Sequence, residues 1–228
     1  IERRAKNDIA VTDADFPISR SYIDMLSETG VIPVVQSKWF ATVVVESPDS
    51  TVAEQLQQLA IVDSVKWIWK GNLRVPAEEK GEDRFVPEDE PLCNEYGYAH
   101  KQIKMLNGTK LHEAGFQGEG MRVAVIDAGF MNADRISAFD SLRLLGTHNV
   151  VFPGKSVFVG DDHGTKVLSC LAADIPGVMV GTAPKASYLL LKSEDSDSEY
   201  PIEEDYWTAA VEYADSAGVD VISSSLGY

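Results

Sequence analysis

Cysteines, long apolar runs and basic residues are all scarce in this sequence. The two cysteines, Cys93 and Cys170, are too few for a disulfide framework and fit no zinc-ligand spacing, so whether they pair is left open. No apolar run approaches the roughly 18 residues of a membrane-spanning helix. The 20 basic and 36 acidic residues give a net charge of −16, whereas a nucleic-acid-binding surface needs a basic face. We therefore expect neither a nucleic-acid partner nor a membrane partner.

Phosphate-binding and metal-binding motifs are missing as well. The sequence has no glycine-rich loop of the P-loop or dinucleotide type, which weighs against a nucleotide- or phosphate-binding α/β protein. We predict no cofactor and no metal ligand set, although the sequence leaves a calcium site open. The charged start Ile1–Arg4 lacks the apolar core of a signal peptide.

The composition changes in the region of residues 75–95. This stretch is rich in proline and acidic residues and shows neither the period of a strand nor that of a helix, as is typical of an exposed, protease-accessible linker. We therefore predict a first domain over residues 1–74 and a second over residues 96–228.

Local patterns give each predicted domain a fold class. The first has the order α-β-β-α-β, which one earlier strand would complete to a small α+β, ferredoxin-like sandwich, with Trp67, Trp69 or their neighbours in its core. The second alternates strands and helices like a parallel α/β sheet. The predicted elements are helices Ile18–Glu28, Asp49–Ala60, Gly164–Ala173 and Pro201–Ala217, and strands Val31–Gln36, Trp39–Glu46, Val62–Trp69, Met121–Ile126, Leu142–Val151, Ala186–Lys192 and Val219–Ser224.

Two residues of the second domain are candidates for acid–base chemistry. Asp127 directly follows a buried strand, where parallel sheets bind ligands, although an Asp at this place also serves phosphate, metal or turn capping. His163 stands at the start of a helix, whose dipole disfavours imidazolium while a facing carboxylate favours it. Taken alone, His163 is better interpreted as a helix-capping or surface residue than as a catalytic base. The other histidines, His100, His112 and His148, read as surface or packing residues.

Ser225, Leu226 and Gly227 follow the last predicted strand. A nucleophilic serine of an α/β-hydrolase stands in a G-x-S-x-G elbow between a strand and a helix, and no helix pattern follows Ser225. The three residues are therefore interpreted as a strand end that offers its backbone to a ligand.

Together these segments resemble the subtilisin-like serine proteases. The resemblance covers about residues 96–228, and its motifs occur in the family's order. It departs from the best-known members at Lys166, where they have a second His, and at Ser169–Cys170. The resembling segments are Tyr96-Gly97, Gln102-Ile103-Lys104, Leu111–Gly118, Val123–Gly129, His163-Gly164-Thr165, Gly181–Ala186 and Asp220–Gly227. Residues 1–74 resemble the propeptides that precede such enzymes, in a form similar to that of secreted Bacteroidetes subtilases.

The resemblance implies a function. Asp127 and His163 would belong to a catalytic triad whose serine, like the oxyanion Asn, is expected beyond Tyr228. Ser225, Leu226 and Gly227 would bind substrate backbone. The chain would then be the front part of a secreted or cell-surface serine endopeptidase precursor that acts on proteins or peptides, with its signal peptide already removed. Its propeptide domain would bind the catalytic domain, and these 228 residues alone would be inactive. The alternative is a non-catalytic, protein-binding or inhibitory fragment.

Overall fold

The computed structural model describes residues 4–5, 7–69, 94–197 and 200–226. Its contacts divide the chain into two compact units, one formed by Ile1–Val75 with Glu199–Gly218 and the other by Pro76–Ser198 with Val219–Tyr228. The helices are α1 Arg20–Ser27, α2 Val52–Gln57, α3 His100–Met105, α4 Gly108–Glu113, α5 His163–Ala172 and α6 Ile202–Ala217. The strands are β1 Ile32–Ser37, β2 Thr42–Glu46, β3 Arg122–Asp127, β4 Arg143–Asn149, β5 Asp174–Ile175, β6 Met179–Val180, β7 Ser187–Lys192 and β8 Val221–Ser224.

The first unit is a small α+β layer. Strands β1 and β2 form an antiparallel hairpin, and α1, α2 and α6 accompany it. The core is aliphatic, because the apolar faces of both short helices turn inward. Its buried members are Leu26, Val31, Val52 and Leu56. Helix α6 ends at Gly218, whose φ of 71° is a left-handed conformation that glycine adopts without steric cost.

One predicted element of this unit is wrong. Residues 62–69 form neither strand nor helix, because β1 and β2 pair only with each other within the described residues and leave this segment without a pairing partner. Of the residues predicted to pack the core, the indoles Trp67 and Trp69 are 42% and 45% exposed, whereas their neighbour Val65 packs against the core together with Val62.

The second unit contains a four-stranded parallel sheet, which confirms the predicted α/β class. The strand order is β4-β7-β3-β8, and every neighbouring pair is parallel. The two central strands β3 and β7 are almost wholly buried, as expected for continuous apolar runs in a parallel sheet. The core joins Val125, Phe130, Leu168, Tyr188 and Leu190. Each predicted strand of this unit occurs within two residues of its predicted bounds.

The sequence patterns missed several short elements of the second unit. Helices α3 and α4 have six residues each, which is too short to show a helical period. The hairpin of β5 and β6 has two residues in each strand. None of the helices in the described part of the chain combines the length and the apolar character needed to cross a membrane.

Candidate active site

Asp127 and His163 meet at the carboxyl end of the parallel sheet. Nδ1 of His163 lies 2.9 Å from Oδ1 of Asp127, although 36 positions separate them in sequence. Asp127 is the last residue of β3 and is 0% exposed. His163 is the first residue of α5, and its side chain is 43% exposed. The predicted proximity of the two residues is confirmed, whereas their catalytic roles stay predictions.

The contact fixes how the imidazole can act. An ionised carboxylate only accepts hydrogen bonds, so neutral His163 donates from Nδ1 and leaves Nε2 with its lone pair. The half-exposed side chain keeps part of the ring accessible. The pair therefore presents a nitrogen that can take up a proton, backed by a buried carboxylate that stabilises the resulting imidazolium.

Close backbone approach makes this contact possible. A Cβ atom on Gly164 would lie 2.4 Å from the Gly129 carbonyl oxygen and 2.9 Å from Cβ of Asp127. A Cβ on Gly129 would in turn lie 2.8 Å from the Asp161 carbonyl oxygen. Real Cβ atoms do not come this close to backbone atoms, so only glycine lets α5 rest against the end of β3.

The start of α5 is held by its own polar groups. Oδ1 of Asp161 accepts a hydrogen bond of 2.7 Å from the backbone N–H of His163, which satisfies one of the free donors at the helix start. The hydroxyl of Thr165 donates to the Met131 carbonyl over 2.9 Å. Lys166 pairs with Asp162 over 3.3 Å, so this departure from the family pattern contributes an exposed ion pair at the helix start.

The two carboxylate oxygens of Asp127 are in different environments. Oδ1 accepts from the imidazole and also from the backbone N–H of Ala128 over 2.8 Å. Oδ2 is buried and has no hydrogen-bond partner within the described residues. Lys192, which the sequence analysis did not single out, ends β7 in register with Asp127 and donates from Nζ to the Ala128 carbonyl oxygen. Its only signal in the sequence is a lysine that closes an apolar strand.

The predicted substrate-binding residues lie beside this dyad's strand. Strand β8 pairs with β3 up to Ser224 and Ile126, and the N–H of Ser225 donates to the Ile126 carbonyl over 3.3 Å. Ser225 is thus the neighbour of Asp127 across the sheet edge. Leu226 follows it half-buried, and Gly227 lies outside the described residues. Substrate binding by this segment stays a prediction.

The remaining candidates do not join the dyad. His112 is buried, with Nδ1 3.1 Å from the Tyr96 hydroxyl and Nε2 2.9 Å from the Thr182 carbonyl oxygen, so it is a packing residue. Burial lowers the pKa of His148 within β4. Cys170 is an exposed free thiol, and Cys93 lies outside the described residues, as does most of the predicted linker. No group of His, Cys, Asp and Glu in the described part of the chain is arranged to hold a metal ion.

The first unit also contains buried carboxylates that the sequence patterns did not single out, among them that of Glu212. Glu212 on α6 is 6% exposed. Its Oε1 accepts a hydrogen bond from the Ser37 hydroxyl and another of 3.1 Å from the Trp39 N–H. Its Oε2 accepts a bond of 3.0 Å from the Lys38 N–H. This carboxylate therefore joins α6 to the turn of the β1–β2 hairpin.

Comparisons with known proteins cover both parts of the chain. Residues 1–83 match the family described as the peptidase S8 propeptide domain of Bacteroidota. Subtilisin E of Bacillus subtilis is 32% identical over 150 residues, which are 63% of this chain and 36% of that protein. The thermostable alkaline protease of Halalkalibacterium halodurans is 28% identical over 126 residues, 55% of this chain and 33% of that protein. The chain thus spans about a third of the length of the curated relatives it matches.

Among solved structures, the MycP3 protease from the type VII (ESX-3) secretion system is similar at a TM-score of 0.45 and 20% identity, over 60% of this chain and 38% of that chain. The propeptide match and the subtilisin relatives agree with the motifs that end in Asp127 and begin with His163. Residues 1–83 thus match a peptidase S8 propeptide domain of the Bacteroidota type, and the chain is similar to subtilisin-like serine proteases over a propeptide domain and part of the catalytic domain.

Proposed function

We propose that this chain is the front part of the precursor of a secreted serine endopeptidase that cleaves proteins or peptides. The observation that carries the proposal is the hydrogen bond of 2.9 Å between the Asp127 carboxylate and the His163 imidazole. The family relationship supports the reaction type, and the subtilisin relatives support an extracellular location.

In the proposed reaction, Nε2 of His163 accepts the proton of a serine hydroxyl that lies beyond residue 228, and the serine oxygen attacks the peptide carbonyl. The imidazolium then returns the proton to the leaving amine. Asp127 holds the imidazole in the tautomer that leaves Nε2 unprotonated and stabilises the imidazolium while it exists. The burial of the carboxylate strengthens this stabilisation, because fewer waters screen it.

Substrate would bind as an added strand beside β8. Ser225 and Leu226 continue that strand past the sheet, with Ser225 next to Asp127, and an extended peptide can pair with backbone groups at such an edge. Gly227 would extend this binding segment. The scissile bond would then lie near the half-exposed imidazole.

Residues 1–74 would act as folding aid and inhibitor of the enzyme, and cleavage in the linker over residues 75–95 would precede activity. Support comes from the propeptide match and from Glu212, whose carboxylate accepts three hydrogen bonds from residues of the β1–β2 turn. Bonds to a buried carboxylate are stronger than neutral ones. They couple the N-terminal segment to α6, a helix that follows the dyad in sequence.

A serine-directed fluorophosphonate probe tests the proposal on two proteins, the full-length parent and the 228-residue chain. We expect labelling of the parent that His163→Ala abolishes, and no labelling of the 228-residue chain. Loss of the serine alone costs about 10⁶ in turnover, as much as loss of the whole triad. Labelling of the shorter chain at Ser223, Ser224 or Ser225 would contradict the assignment. An unlabelled parent would support the non-catalytic alternative.

A further inference from the structure

We infer that Lys192 is a positioning residue of this active site, which holds the turn after β3 and the Asp127 carboxylate in place while His163 transfers the proton. The inference rests on the proposed function, because it assigns a role in that reaction. It concerns a side chain that touches neither the imidazole nor the predicted substrate strand.

The strand register puts Lys192 in a row of buried polar side chains. It is the partner of Asp127 in β3 on one side and of Asn149 in β4 on the other. Register partners on parallel strands project to the same face of a sheet. Asn149, Lys192 and Asp127 are 4%, 6% and 0% exposed. The row therefore crosses the carboxyl end of the sheet on the face from which Asp127 reaches α5.

The contacts of Lys192 lead directly to the dyad. Nζ donates to the carbonyl oxygen of Ala128, and the N–H of the same residue donates to Oδ1 of Asp127 over 2.8 Å. The backbone of Ala128 is thus hydrogen-bonded at its carbonyl oxygen by Lys192 and at its N–H by Asp127. The next residue, Gly129, is the one against which α5 rests. Movement of this turn would shift the carboxylate and the start of the helix together.

The side chains of Lys192 and Asp127 also carry opposite charges. A buried ammonium is costly unless a negative group lies near it, and the buried carboxylate of Asp127 is its register partner. An ammonium carries three N–H donors, whereas Oδ2 of Asp127 has no partner within the described residues. Lys192 therefore adds a positive charge and three N–H donors to the same buried row as the Asp127 carboxylate.

A purely structural role does not require a cation at this place. Replacing both partners of a buried ion pair with apolar groups is often neutral or stabilising, whereas removing one partner costs stability. Lys192→Met, which fills a similar volume, therefore separates the two roles through turnover rather than through Tm. The packing role and the positioning role therefore predict different results for Lys192→Met. If Lys192 only packs, Lys192→Met leaves turnover unchanged, and if it positions Asp127, turnover falls while folding is kept.

The experiment uses the full-length enzyme, processed where necessary by a trace of tagged wild-type enzyme that is then removed. The variants are Lys192→Met, Lys192→Arg and Lys192→Gln, each also made in the Asp127→Asn background. Kinetics on an activated peptide ester give kcat and KM, and thermal unfolding gives Tm. Wild-type turnover is measured first. An inactive wild type would refute the proposed function itself, whereas the variants test the role of Lys192.

We expect Lys192→Met to lower kcat by about ten- to a hundredfold, in line with couplings within one hydrogen-bond network, with KM nearly unchanged and Tm lowered because the Ala128 carbonyl oxygen loses its donor. Lys192→Arg should recover most of the loss, because it keeps the charge. In the Asp127→Asn background, Lys192→Met should cause no further loss. Unchanged kcat, or an equal loss in both backgrounds, would overturn the inference. Should Lys192→Met not fold, Lys192→Gln, which keeps a donor for Ala128 without the charge, decides by the same comparison.

Discussion

The carboxylate of Asp127 contacts His163 through one oxygen and leaves the other without a partner. Oδ1 accepts hydrogen bonds from the imidazole Nδ1 and from the Ala128 N–H, while Oδ2 is buried with no hydrogen bond within the described residues. The imidazole is thus oriented by a single oxygen. The imidazole keeps its proton on Nδ1, and Nε2 unprotonated, only while that oxygen is an acceptor.

Asp127→Asn should lower kcat of the full-length enzyme by about 10⁴, the cost of the equivalent change in a serine protease triad, because an amide N–H facing Nδ1 favours the wrong tautomer. KM should change little. Asp162→Asn is the matched control, since its carboxylate is half exposed and pairs only with Lys166 among the described residues. Kinetics on a peptide ester measure both, and a similar loss in the two variants would contradict the assigned role.

Gly164→Ala should disrupt the dyad, because the added Cβ would lie 2.4 Å from the Gly129 carbonyl oxygen and would push α5 off β3. We expect a loss of activity of at least a hundredfold together with a destabilisation of roughly 1–3 kcal/mol, as for overpacked sites. In Gly146→Ala, the control, the nearest atom to the new Cβ is Cδ1 of Leu189 at 3.7 Å, an ordinary contact. Probe-labelling rates and unfolding curves test the pair. Equal behaviour of the two variants would refute the packing argument.

Glu212→Gln should weaken inhibition by the processed propeptide domain. The amide replaces a charged acceptor, and one of its ends presents N–H groups where Ser37, Lys38 and Trp39 need an acceptor. Hydrogen bonds to charged groups contribute about 1.5–3 kcal/mol, so the dissociation constant should rise at least about tenfold. Activity recovered on dilution of the processed complex measures it. Glu204→Gln, an exposed carboxylate on the same helix, should leave the constant unchanged.

Tyr188→Phe should change the alkaline stability of the enzyme. Burial raises the pKa of the Tyr188 hydroxyl, which donates to the Ala183 carbonyl over 2.8 Å. The folded pKa therefore exceeds the unfolded value of about 10, so the contribution to stability is complete below that pH and is lost as pH rises above it. At pH 8 the variant should be less stable by about 1 kcal/mol, the value of one hydrogen bond.

Above pH 10 the difference between wild type and Tyr188→Phe should shrink, because only the wild type has a phenol at position 188 that ionises on unfolding. Denaturant unfolding at pH 8 and pH 11 gives the two differences. A gap that is the same at both pH values would show that the hydroxyl does not stay protonated in the folded protein.

Much of the fold and the dyad could be predicted from local sequence. Continuous apolar runs such as Val123–Ile126 can be stable only as strands covered on both faces, and the glycine and histidine at the start of α5 stand in a family pattern. The strand prediction for residues 62–69 failed because a local pattern does not supply a neighbouring strand to pair with. Residues 62–69 alternate like a strand, yet a strand exists only where another edge accepts its hydrogen bonds.

The sequence by itself determined the α/β class and the ends of the buried strands, because these depend on side-chain periodicity, and its short motifs led to the prediction that Asp127 and His163 act together. The tertiary structure alone decided that Lys192 is the register partner of Asp127 and that Glu212 accepts hydrogen bonds from the β1–β2 turn. Both depend on groups that are distant in sequence. Strand register and helix placement bring them together, and a buried charge then finds its partner only in the packed molecule.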